Sequence, residues 1–110
     1  MNVIFKEEAL QDLYETGSTN VRKYKTICKN KKLIDGYIRA IDIMYQVKST
    51  DALKSFSYLH YEKLKYQSGE QHSSVRLVNG MVERLIFTKT KNGIEVELLE
   101  INSTHYGNKK

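Results

Sequence analysis

The stretch that most constrains the fold runs from Leu59 to Tyr106. It holds four runs of strand-like composition, and two of the three connections between them carry Asn-Gly, at Asn79-Gly80 and Asn92-Gly93. That dipeptide is the strongest short-range hairpin signal, because tight hairpin turns need residues that tolerate positive φ. Val75, Leu77, Leu85 and Phe87 alternate with polar neighbours, so one face of the sheet is expected to be apolar. A two-residue loop at Asn79-Gly80 would set Val75 opposite Arg84 and place a charge among these positions. A three-residue loop, Val78-Asn79-Gly80, pairs Leu77 with Met81 instead. It puts Val75, Leu77, Leu85 and Phe87 on one face and Ser74, Arg76 and Arg84 on the other. A one-residue slip exchanges the faces, so burial favours the odd loop, with both arginines on the exposed side.

The segments before this stretch supply a strand and helices. Asn2 to Phe5 reads as a short strand with Val3 and Phe5 on one side. Lys6 to Glu15 reads as a helix with Ala9, Leu10 and Leu13 as its stripe, ended by Gly17. From Val21 to Val47 one long amphipathic helix is expected, its stripe being Leu33, Tyr37, Ala40, Ile41, Met44 and Val47. Gly36 inside it costs about 1 kcal/mol relative to alanine, which points to a close approach to the sheet. Ser49 is expected to cap a short helical turn from Asp51 to Phe56. Strand, helix, helix and four antiparallel strands make one α+β domain over residues 1–110: an N-terminal strand and two helices packed on one face of an antiparallel sheet, the other face free.

With 18 Lys and Arg against 13 Asp and Glu, the net charge is +5, which favours a polyanionic partner such as nucleic acid. The basic run Arg22, Lys23, Lys25, Lys29, Lys31 and Lys32 is either a solvated helix face or a contact to RNA or the ribosome. No apolar run is long enough to span a membrane. MNVIFKEEAL reaches acidic residues too soon for a signal peptide, and one cysteine, Cys28, excludes an internal disulfide. Both fit a cytoplasmic protein. His60, His72 and His105 have no regular ligand spacing and no phosphate-binding glycine loop is present, so neither metal nor cofactor is expected. A basic, histidine- and tyrosine-bearing sheet face is a place to hold and cut RNA.

Five pieces, in this order and spacing, resemble the HigB-type toxins of the RelE/ParE superfamily, the toxin halves of type II toxin–antitoxin systems. They are Leu59-His60-Tyr61-Glu62-Lys63-Leu64-Lys65, Ser74-Val75-Arg76-Leu77, Arg84-Leu85-Ile86-Phe87, Leu99-Glu100-Ile101 and His105-Tyr106-Gly107. The likeness covers nearly the whole chain. It implies a RelE-like fold and a metal-independent, ribosome-dependent mRNA endonuclease. In such enzymes the RNA 2′-hydroxyl attacks the adjacent phosphate and leaves a 2′,3′-cyclic phosphate. That reaction needs a proton acceptor, cations for the phosphorane and a donor for the leaving 5′-oxygen.

Carried over by position, the resemblance makes Arg84 a phosphate or transition-state contact. His60 and His105 become candidate acid and base, and Tyr106 places the RNA or stacks on a base. Arg76, Lys63 and Lys65 become RNA-binding cations. The expected partners are mRNA on the ribosome and a cognate HigA-like helix-turn-helix antitoxin. Against these roles stand plainer ones: His60 as a surface strand residue, the arginines paired with Glu83 or Glu100, Tyr106 as a cap on the sheet edge. His72 reads as a loop residue, and Tyr14, Tyr24, Tyr37 and Tyr45 as packing residues. Leu-Lys-Tyr stands where the family usually has Leu-Lys-Gly, and Glu83 replaces the aromatic residue before Arg84. A ParE-like inhibitor of DNA gyrase, or a basic RNA-binding module without chemistry, are the competing functions.

Overall fold

A computed structural model describes residues 1–64, 71–90 and 93–103. β1 (Asn2–Phe5) leads into α1 (Glu8–Thr16), which buries Ala9, Leu10 and Leu13. The helix stops at Gly17, whose φ of 78° lets its N–H reach back to Leu13 O. The expected long helix from Val21 is broken in two. A 3-10 turn at Arg22–Tyr24 runs into α2 (Lys25–Cys28), and α3 (Lys31–Gln46) starts afresh. The break lies at Asn30, which is extended and accepts Leu33 N–H on its side-chain oxygen at 3.3 Å. That bond is an N-cap, and it defines a new helix start rather than a continuing turn. The kink turns Tyr24 and Ile27 into the core. Beyond α3, 3-10 turns occupy Thr50–Ser55 and Ser57–Leu59. Ser49 flanks the first of them but makes no side-chain capping bond.

Four further strands follow: β2 (Glu62–Leu64), β3 (His72–Arg76), β4 (Arg84–Thr90) and β5 (Glu95–Asn102), in the sheet order β1-β5-β4-β3-β2. The sheet is mixed rather than antiparallel, because β1 pairs parallel to β5, Asn2 against Glu95 through Phe5 against Leu98. A parallel pair needs a long crossover, and the helical half of the chain provides it. The α+β single domain expected from the sequence is thus present, with this change in one pairing.

The β3–β4 hairpin keeps the expected faces but not the expected loop. Val75 pairs with Leu85 and Arg76 with Arg84, and Leu77 N–H bonds Glu83 O at 3.3 Å. Leu77 therefore faces Glu83, not Met81, and the connection is two residues longer than a three-residue loop. A turn closed by Met81 N–H on Val78 O (3.1 Å), with Gly80 at φ 92°, fills the extra length. The parity is unchanged, so the apolar set still shares one face.

That face carries the core. Leu33, Tyr37, Ala40, Ile41 and Met44 of α3 form one buried cluster with Val75, Leu85, Phe87, Val96 and Leu98 of the sheet. Tyr37 Oη donates to Leu10 O at 2.8 Å, tying α3 to α1. Gly36 is where α3 meets the hairpin: a Cβ there would lie 2.0 Å from Leu77 O. Only glycine allows this contact. No helix among the described residues is long and apolar enough to cross a membrane.

Candidate RNA-binding face and cleft

The face turned away from the helices is set by strand register. It takes Glu62 and Leu64 from β2, His72, Ser74 and Arg76 from β3, and Arg84, Ile86 and Thr88 from β4, with Glu97 and Glu100 from β5. It is less open than the sequence implies, since Ser74, Ile86 and Thr88 are buried. One cause is an ion pair. Arg84 Nη1 lies 2.9 Å from Glu62 Oε1, and the Arg84 side chain is only 11% exposed. The two residues come from strands on either side of β3, roughly 9–10 Å apart. Both side chains therefore lean over β3 at Ser74, whose hydroxyl is buried with no hydrogen-bond partner among the described residues. The expectation of two exposed arginines is corrected accordingly, and the acid facing Arg84 is Glu62 rather than Glu83 or Glu100.

Arg76 is the cross-strand neighbour of Arg84 and is half-buried. Its Nη1 donates to Met81 O at 2.8 Å, which pins the hairpin loop. His60 comes to the same end of the sheet. It is exposed, and its Nε2 lies 3.0 Å from Asn79 Oδ1 in that loop. With an oxygen as partner, Nε2 is the donor in this contact. The His60 backbone is left-handed (φ 49°, ψ 51°) where it closes the 3-10 turn ahead of β2. His60 is thus a corner residue, not a strand residue.

Lys63 is not brought to this group. It pairs with Ser73, itself opposite Phe87, so it belongs to the helix-side face of the edge strand β2. The alternation of a strand forces this once Glu62 faces Ser74. Lys65, His105 and Tyr106 lie outside the described residues. Arg76, Arg84 and His60 are therefore the assembled part of the expected set.

His72, read from the sequence as a loop residue, is the first residue of β3 and lines a cleft of about 260 Å³. Ile86, Leu99 and Glu100 share that wall, and Lys6, Glu7 and Lys23 close the other side. Lys23 lies 3.7 Å from Glu7 and above the Tyr24 ring. Its ammonium is held above the usual lysine range, by Tyr24 first and, against partial desolvation, by Glu7 and Glu100. The missed signal was alternation: His72, Ser74 and Arg76 are spaced as one strand face, but polar residues on both sides hid where the strand begins. Among the described residues no group of three His, Cys, Asp or Glu could hold a metal ion. No family model, curated protein or solved structure matches the chain.

Proposed function

We propose that this chain is an RNA-cleaving toxin of the HigB/RelE kind, an mRNA endonuclease working on the ribosome and held in check by a cognate helix-turn-helix antitoxin. The observation that carries the reading is the pairing of Arg76 with Arg84 on the sheet face the helices leave uncovered, with His60 held against the hairpin loop that Arg76 also grips. Two guanidiniums on neighbouring strands form a fork for one phosphate, and guanidinium suits a phosphorane because it gives paired hydrogen bonds and never loses its charge. Glu62, 56% exposed, holds Arg84 in place and can turn to water when a phosphate takes over the guanidinium.

The chemistry this supports is internal transesterification. The 2′-oxygen forms a bond to phosphorus as its proton passes to a base, and the bond to the 5′-oxygen breaks as an acid protonates it. His60, with Nδ1 free of the Asn79 bond, is suited to one of these transfers, and His105 from the chain's closing motif to the other. Tyr106 would stack on an unpaired base, and Lys65 would add a phosphate contact. Lys63, on the other side of β2, is left with a peripheral role. No step in this route calls for a metal.

The test is brief induction of the chain without a partner, followed by primer-extension mapping of mRNA ends. Cuts phased to the ribosome are expected, together with growth arrest relieved by co-expressing the antitoxin. Stalled replication with intact mRNA would instead mark a gyrase poison. Unaltered growth and translation would remove the toxin reading altogether.

A further inference from the structure

The cleft at His72 has a definite structural origin. β1 runs beside β5 only as far as Phe5 opposite Leu98, then turns away into α1, while β5 continues to Asn102. Past Leu98 that edge of β5 is met by side chains instead of a strand, with the Tyr24 hydroxyl accepting Ile101 N–H at 3.4 Å. Leu99 is the extra residue of the register shift opposite Ile86 and Phe87. The space between this edge and the chain at Lys6 is the cleft.

Its lining selects for a ligand class. The lining is mostly polar, with only a small apolar strip from Leu99 beside Ile86, which is 3% exposed. Two lysines disfavour a cation, and two carboxylates disfavour a bare anion. What fits is a neutral group carrying donors on one edge and acceptors on the next, as the edge of a nucleobase does. Glu7 is already neutralised by Lys23. Glu100 has one oxygen on Asn102 Nδ2 at 3.4 Å and its second oxygen for a ligand. A carboxylate accepts well from the ring N–H and amino group of guanine, and an ammonium donates to guanine O6 and N7. Adenine offers an amino group without the adjacent ring N–H.

We infer that this cleft is a pocket for an unpaired guanine base, read by Glu100 with Lys6 and Lys23. For the strand that carries the base, the inference rests on the RNA reading above. His72 and Arg76 lie four residues apart on one strand face, about 13 Å at 3.3 Å per residue. One short single strand therefore reaches both the cleft and the arginine pair, and the pocket would give the cut its sequence preference.

The test is amide-resolved NMR of the full-length chain titrated with GMP, AMP and inorganic phosphate. GMP should shift the amides of Lys6, Ile86, Leu99 and Glu100 saturably, AMP should bind at least tenfold more weakly, and phosphate alone should leave them in place. Glu100→Gln, its fold verified by amide dispersion, should erase the preference, while Arg84→Ala should keep it. Equal binding of GMP and AMP, shifts confined elsewhere, or a Glu100→Gln chain that still prefers GMP would each overturn the pocket. Because the titration needs no cleavage, guanine binding without ribosomal cuts would count against the nuclease reading alone. Cuts without guanine binding would count against the pocket alone.

Discussion

His60 is the only non-glycine residue with positive φ among the described residues. Such a conformation costs an L-residue roughly 1–2 kcal/mol, and it is kept where the side chain is needed. Two variants separate backbone from side chain. His60→Gly and His60→Ala both remove the imidazole and should slow cleavage by about 10²–10⁴. Glycine relieves the left-handed strain and alanine does not, so urea unfolding should find His60→Gly the more stable by about 1 kcal/mol. Equal stability would mean that the corner is not left-handed. The sequence marks this histidine only through its place in the Leu59–Lys65 motif, because nothing local announces a strained backbone.

The tyrosines make a second prediction at this scale. Burial holds the Tyr37 phenol far above its ordinary value, and Tyr14 is pushed up to about 12, mainly by its hydrogen bond to Asp42. Both folded-state values exceed the unfolded value near 10. Their contribution is therefore complete below pH 10, and it is lost as pH climbs above 10 toward and past 12. The unfolded chain releases these protons first, so stability must fall with rising pH. Urea midpoints at pH 9, 10 and 11 should show Tyr37→Phe losing stability less steeply than wild type, by up to about 1.4 kcal/mol per pH unit. Parallel slopes would contradict this.

Among elements, the contact between α3 and the β3–β4 hairpin is the tightest constraint. Helix propensity alone makes Gly36→Ala a gain of about 1 kcal/mol. The structure predicts the opposite sign, since the new methyl group would meet the Leu77 carbonyl, which is backbone and cannot swing aside. Overpacking of this kind costs about 1–3 kcal/mol, so a lower thermal midpoint is expected, and a raised one would refute the close approach. That a glycine here meant proximity was legible in the sequence. So were α1, its stop at Gly17, and the faces of β3 and β4, all set by local periodicity and turn chemistry. The break at Asn30 was hidden because the apolar spacing from Ile27 to Leu33 reads across it, whereas the cap depends on one side-chain bond. The parallel pairing of β1 with β5 left no trace, because it joins segments more than 90 residues apart and no turn specifies it. The Arg84–Glu62 pair was hidden likewise: its members sit on non-adjacent strands and meet only once β3 lies between them.

At the scale of the whole molecule, the charge of +5 is unevenly spread. Glu97 and Glu100 line the β5 side of the uncovered sheet face, while Arg76 and Arg84 hold its β3–β4 side. The phosphates of an RNA strand would be drawn to the second region and only an uncharged base would turn toward the first, which would give the strand a defined track. The sequence supplied the residues of that track but not its boundaries, because strand order decides which charges become neighbours. The central residue on this face is Arg84. It is mostly shielded, yet Glu62 is largely exposed, so that carboxylate returns to water when the guanidinium is removed, and the fold should survive. The most direct measurement is single-turnover cleavage of end-labelled mRNA on programmed ribosomes, comparing wild type with Arg84→Ala, with circular dichroism confirming that both are folded. Wild type should produce fragments ending in a 2′,3′-cyclic phosphate, and Arg84→Ala should do so on the order of 10²–10³ more slowly. Intact mRNA with the wild-type protein, or wild-type rates from a folded Arg84→Ala, would contradict the account.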